Sequence, residues 1–182
     1  MLPQIEEFLW QTRRTEIPVS TLAAIAIDSP VSISDLVTIA TNIENPDANW
    51  RAAWILTKIA ETDSSKLQNF APKLISFLLE STNKCSNGLL RGLLRTLTEL
   101  EYSYDEDGKL LDLCTKIFKS RAHSKAARVN AMRIVTNITL KHPELKEELI
   151  TEFQIIELQE TKSVAAACRI LRKRLQKNKS RQ

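Results

Sequence analysis

The sequence predicts an all-α solenoid, a stack of helix pairs, on three observations. Glycine is scarce, with three among 182 residues. Phosphate-cradling loops, hairpin turns and doubly wound sheets all place glycine where φ is positive or backbones approach closely. Apolar residues recur at helical spacing along almost the whole chain, interrupted at intervals by turn and cap residues, and no segment alternates as a strand does. The helices also recur: Leu56-Thr57, Leu97-Thr98, Val135-Thr136 and Leu171 hold one place in successive units, 41, 38 and 36 residues apart. A period of about 40 residues with two helices per period marks units that bury their apolar faces against one another.

Taken in order, segments 2–12 and 19–28 open the chain and, with Phe8 and Trp10, are expected to cap the stack. Ser32 and Ser34 are placed to start the next helix, and Asn45-Pro46-Asp47 ends it and begins another, with Pro46 in the first turn, where proline is tolerated. Further breaks are expected at 62–65, 81–88, 102–108, 119–123, 141–143 and 159–161. The domain organisation is thus one repeat domain over 1–176, with capping helices in 1–31, repeats in 32–176, and a basic tail at 177–182.

Composition narrows the function classes. Hydrophobic residues make up 43% and charged residues 26%, as in an ordinary globular domain. The start MLPQIEEFLWQTRRTE lacks the basic-then-apolar pattern of a signal peptide. No run approaches the roughly 18 apolar residues of a membrane span, so no membrane partner is expected. Three cysteines at unrelated spacings, Cys85, Cys114 and Cys168, suggest reduced thiols and a cytoplasmic protein. The net charge of +4 is uneven: from Arg169 onward there are seven basic residues and no acidic one. Removing those seven from the 26 basic residues leaves 19 against 22 acidic, so the body is slightly acidic and the end basic.

The stretch RAAWILTKIAE resembles the third helix of an armadillo repeat, and ENPDANWRAAWIL resembles the Asp-then-Arg turn of HEAT repeats. The resemblance covers residues 32–176, and the period and two-helix unit fit HEAT better than the three-helix armadillo. It implies a right-handed α-α superhelix, a HEAT-like solenoid of about four to five helix pairs, in which second helices line a concave surface. It also implies an ion pair between Asp47 and Arg51 at the turn.

The helix at 50–61 carries the candidate site. At 100° per residue, Ala52, Ile55, Leu56 and Ile59 gather on one side, and Trp50, Trp54, Thr57 and Lys58 on the other. Followed through the repeat, Trp54 maps onto Arg95, Arg133 and Arg169, Lys58 onto Glu99, Asn137 and Lys173, and Trp50 onto Arg91, Val129 and Ala165. The expected site is therefore Trp50, Trp54, Lys58, Arg91, Arg95, Arg133, Asn137, Arg169 and Lys173. Guanidinium forks suit carboxylates and phosphates, and tryptophan adds flat apolar area. In peptide-gripping armadillo proteins the matching tryptophan is followed one turn later by an asparagine. Here that position is Lys58, and Asn137 keeps the amide without the tryptophan.

Each feature has a plainer reading beside it. Exposed arginines are the default on a helix's outer face, the tryptophans suit a wedge between repeats, and the basic end suits a solvated terminus. The expected function is a non-enzymatic scaffold that docks an acidic or phosphorylated segment of another protein. Nucleic acid is the second partner class, through resemblance to HEAT-like glycosylases of alkylated DNA, although no aspartate is expected beside the tryptophans. The basic end also lacks an aromatic platform for base stacking. No cofactor or metal is expected. His123 and His142 lie at turns with no cysteine or carboxylate at ligand spacing, Cys114 and Cys168 fall on apolar stripes, and Cys85 sits in a polar turn without a base. Asp105, Glu106 and Asp107 suit capping of the following helix.

Overall fold

A computed structural model describes residues 30–177 together with positions 21, 23, 24 and 26. The expected capping by Phe8 and Trp10 and the tail beyond Lys177 lie outside the described residues. Eight α-helices follow from residue 30: α1 (Pro30–Ala40), α2 (Pro46–Thr62), α3 (Ala71–Ser81), α4 (Asn87–Leu97), α5 (Tyr104–Lys119), α6 (Lys125–Lys141), α7 (Lys146–Gln159) and α8 (Lys162–Lys177). Short 3-10 turns at Ser64–Phe70, Thr82–Lys84 and Pro143–Leu145 join some of them. No strand occurs among the described residues. The chain forms two compact units, Met1–Glu106 and Asp107–Gln182.

Helix boundaries follow local chemistry. The Asn45 side chain accepts from the Ala48 amide at 3.3 Å, with Pro46 in the first turn of α2. Ser86 caps α4 through the Leu89 amide and Ser124 caps α6 through the Ala127 amide. At the start of α5 the Glu106 carboxylate makes the glutamate half of a capping box, with the Ser103 amide and hydroxyl both donating to Glu106 Oε2. Three expectations change. The chain is already helical at Pro30, which suits a first turn, so Ser32 and Ser34 fall inside α1. Gly88 and Gly108 also lie within helices, because the serine caps before them start α4 and α5 early.

In the first unit α2 packs on α1 and, on its other side, on α4. Leu89, Leu90, Leu93, Leu94 and Leu97 give α4 a broad buried stripe, each leucine contributing ~1.5–3 kcal/mol on full burial. The connector after α4 is tied down by Gln68, whose amide oxygen accepts from the Glu101 amide at 3.1 Å. In the second unit α8 packs on α7 and α6. Phe118 of α5 meets Phe153 of α7 edge-on, with ring centroids 5.9 Å apart. The marker positions Leu56, Leu97, Val135 and Leu171 are all buried, as the repeat register requires. On the last pair, Ile155, Leu158 and Ile170 remain exposed.

One buried ion pair organises the second unit. Arg128, 4% exposed, donates from Nε to the Phe118 carbonyl at 2.8 Å and from Nη2 to Glu160 Oε1 at 2.9 Å. Arg121 donates to the same carboxylate oxygen at 3.0 Å and to the Gln159 carbonyl at 2.9 Å. The C-terminal ends of α5 and α7 are thus held by guanidinium groups at carbonyls that have no partner within the helix. The Arg128 hydrogen bond, with Arg121 behind it, holds the Glu160 carboxyl down to about 2 against the opposing effect of burial.

Replacing Glu160 by alanine strands Arg128 without its carboxylate, with an expected loss of ~3–5 kcal/mol in urea unfolding. Because the folded carboxyl titrates near 2, below its ordinary value of 4.5, its contribution is complete above about 4.5 and is lost as pH falls through about 2. The stability gap between wild type and Glu160→Ala is therefore expected to stay level from neutral pH to about 5 and to narrow below that.

Candidate functional site

The tryptophan face of the first unit is built by the approach of α4 to α2. A Cβ on Gly92 would lie 3.0 Å from the Ala53 Cβ and 3.3 Å from its carbonyl carbon, so a side chain there requires the two helices to part slightly. At this crossing the Thr57 hydroxyl lies 2.9 Å from the Ala53 carbonyl, 3.1 Å from the Gly92 carbonyl and 3.2 Å from the Thr96 hydroxyl. Thr57 is consequently buried, a correction to its expected place on the open face with the tryptophans. A second helix has neighbours on two sides, and the stripe opposite its main apolar face is partly covered by the next second helix.

One turn toward the N-terminus, Trp50 is half-buried, with its Cβ 3.4 Å from where a Cβ on Gly88 would stand. The Trp50 and Trp54 rings stack with centroids 6.3 Å apart and planes inclined by 22°. The Arg51 guanidinium lies 5.0 Å from the Trp50 ring centroid, a cation-π contact. Trp54 remains 46% exposed. One indole is therefore wedged between helices, and it presents the other to solvent.

The charged residues beside this face are largely paired with each other. Lys58 Nζ meets Glu61 Oε2 at 2.7 Å, and Arg95 reaches Glu61 Oε1 at 3.1 Å and Glu99 Oε1 at 2.9 Å. Arg95 also donates to the Thr98 hydroxyl at 3.0 Å. The Lys58 hydrogen bond, helped by Arg95, holds the Glu61 carboxyl below the usual carboxylate range. Arg91 is exposed.

In the second unit, Arg133 is exposed and lies 3.5 Å from the Asn130 side-chain oxygen. Asn137 is half-buried. Arg169 is matched to Glu157 at 3.2 Å, and Arg172 takes the other oxygen of the same carboxylate at 2.9 Å. Lys173 is exposed. Of the positions matched to Trp50, Val129 is half-buried and Ala165 buried. Arg95 and Arg169 are thus engaged by carboxylates, while Arg133 and Lys173 stand in solvent. The sequence missed Glu61 and Glu157 as members of the site; Glu61 and Lys58 at i, i+3 were the available signal.

Groups with chemical potential elsewhere are quiet or structural. Burial raises the Cys85 thiol to about 11, and burial with Glu157 nearby raises Cys168 to about 11 as well. Cys114 is pushed up by burial too, so thiolate chemistry at neutral pH is disfavoured at all three. Cys85 is half-buried, with its sulfur donating to the Ser81 carbonyl. His142 departs from expectation: its Nε2 lies 3.1 Å from Oδ2 of the buried Asp107, and Lys141 lies 3.4 Å from Oδ1. The contact spans 35 residues and is invisible to local spacing. No group of three metal-ligating side chains gathers among the described residues, and no helix there is long and apolar enough to cross a membrane.

The family model of the HEAT repeat domain matches residues 13–179. The chain belongs to the HEAT repeat family, all-α repeat proteins that in general act as non-enzymatic scaffolds for protein interactions. No curated protein and no solved structure matches it.

Two stability measurements check this geometry. Gly92→Leu forces α4 away from Ala53 and is expected to cost ~1–3 kcal/mol in urea unfolding. Trp54→Ala removes an exposed ring and one stacking contact and is expected to cost no more than ~1.5 kcal/mol.

Proposed function

We propose that this HEAT repeat protein docks an acidic or phosphorylated segment of another protein on its second-helix faces, without catalysing a reaction. The observation that carries the reading is Trp54, a large apolar ring nearly half exposed and held in place by the stacked, wedged Trp50. A rigid exposed aromatic loses little side-chain entropy on binding, which is the character of an interface anchor. In the first unit the charge comes from Arg91, Arg95 and Lys58. In the second it comes from Arg133, Arg169 and Lys173. The partly exposed pairs at Glu61 and Glu157 are each worth only ~0–1 kcal/mol, so an incoming carboxylate or phosphate competes for the same guanidinium groups at small cost. Phosphate, with its higher charge, is the stronger competitor.

Fluorescence polarisation with labelled peptides tests the reading. Acidic and phosphorylated peptides with an apolar residue are expected to bind in low salt and to weaken as salt rises. Trp54→Ala is expected to lower affinity roughly thirtyfold, the size of an anchor residue's loss. Reversal of the exposed Arg91 to glutamate is expected to weaken binding at the Trp54 face with little change in stability. Equal binding of basic peptides overturns the reading. Tighter, salt-sensitive binding of a DNA duplex replaces it with the nucleic-acid alternative.

A further inference from the structure

The two most exposed large apolar side chains among the described residues both lie on the last helix pair, Leu158 of α7 at 89% and Ile170 of α8 at 67%. Ile155 of α7, one turn before Leu158, is exposed as well. At 100° per residue, Glu148, Thr151, Ile155 and Leu158 form one stripe on α7, turned away from the buried Leu149, Phe153 and Ile156. Ala167, Ile170, Arg174 and Lys177 form a stripe on α8, turned away from the buried Val164, Cys168, Leu171 and Leu175. Apart from the half-buried Ala167, every member of both stripes is exposed.

The two stripes match in spacing and in charge. Both advance by steps of three, four and three residues, so that, laid antiparallel, Leu158 meets Ala167, Ile155 meets Ile170, Thr151 meets Arg174 and Glu148 meets Lys177. α7 carries four glutamates against one lysine, whereas α8 carries six basic residues and no acidic one. Within one copy part of this charge is already used: Glu157 holds Arg169 and Arg172, and Glu152 holds Lys119. Glu148, Arg174 and Lys177 enter no ion pair among the described residues. The α7 and α8 of one copy already meet through Glu157, so the complement of the α8 stripe has to come from another molecule. An α8–α8 contact would set a helix without acidic residues against itself, and an α7–α7 contact would oppose glutamates, which the mixed pairing avoids.

We propose that the chain self-associates by laying α7 of one copy antiparallel on α8 of a second copy. Ile155, Leu158 and Ile170 form the apolar part of the contact, and Glu148 with Lys177 closes its edge, the usual division between the core and rim of an interface. Two different surfaces meet, so the contact is heterologous. The inference stands apart from the Trp54 reading, which belongs to the first unit and shares no residue with this contact.

Sedimentation equilibrium of the full chain, over a dilution series reaching millimolar concentration, tests the pairing. The average mass is expected to rise above the monomer with concentration, and to rise less at high salt. Ile170→Asp, an exposed change that spares the fold, is expected to weaken association roughly tenfold. Glu148→Lys sets a like charge against Lys177 and is expected to weaken it roughly two- to fivefold, and adding Lys177→Glu is expected to restore it. Trp54→Ala is expected to leave the mass curve unchanged. A chain that stays monomeric at millimolar concentration overturns the proposal. So does association that survives Ile170→Asp, or a Glu148→Lys loss that Lys177→Glu does not restore. Association lost with Trp54→Ala also overturns it, because the contact then lies on the first unit.

Discussion

With a hydrogen atom for a side chain, Gly92 lets α4 lie directly on Ala53, and the first unit's open face depends on that contact. Close approach brings the Thr57 and Thr96 hydroxyls together and buries them against the Gly92 carbonyl. It also sets how far the second helices stand apart, and so how much of Trp50 is covered at Gly88 and how much of Trp54 is left in solvent. Glycine is unfavourable within a helix by roughly 1 kcal/mol relative to alanine. Here the loss of helix propensity is offset by packing that no larger residue permits without moving a backbone.

The second unit meets the same problem of joining successive helices by electrostatic means. Arg128 and Arg121 converge on Glu160 and on the last carbonyls of two helices, so one carboxylate closes three helix ends. A buried pair of this kind is weak evidence for net stability, since desolvation opposes attraction. Its clearer consequence is positional: Phe118, packed edge-on against Phe153, is held by its own backbone oxygen. The His142–Asp107–Lys141 contacts tie the start of α5 to the end of α6 in a similar manner.

What was legible in the sequence was periodic or local. The apolar spacing around Leu56, Leu97, Val135 and Leu171 gave the register, and Asn45-Pro46 announced its helix because a cap acts within one turn. Gly88 and Gly108 were misjudged as breaks because their serine caps stand a few residues earlier. Thr57 was misplaced because one helical wheel contains one apolar stripe, whereas an inner helix is covered from two sides. Arg95 and Glu61 are 34 residues apart in the chain, and Arg128 and Glu160 are 32 apart. Nothing at such separations distinguishes a paired arginine from a solvated one until the helices are packed.

The stacked indoles have an optical consequence. At 6.3 Å between centroids and an inclination of 22°, their electronic transition dipoles lie close enough to couple. Trp50 and Trp54 thus form an exciton pair whose circular dichroism depends on the angle between them. A segment that settles on Trp54 and tilts its ring changes that signal, so the face carries its own unlabelled reporter of occupancy.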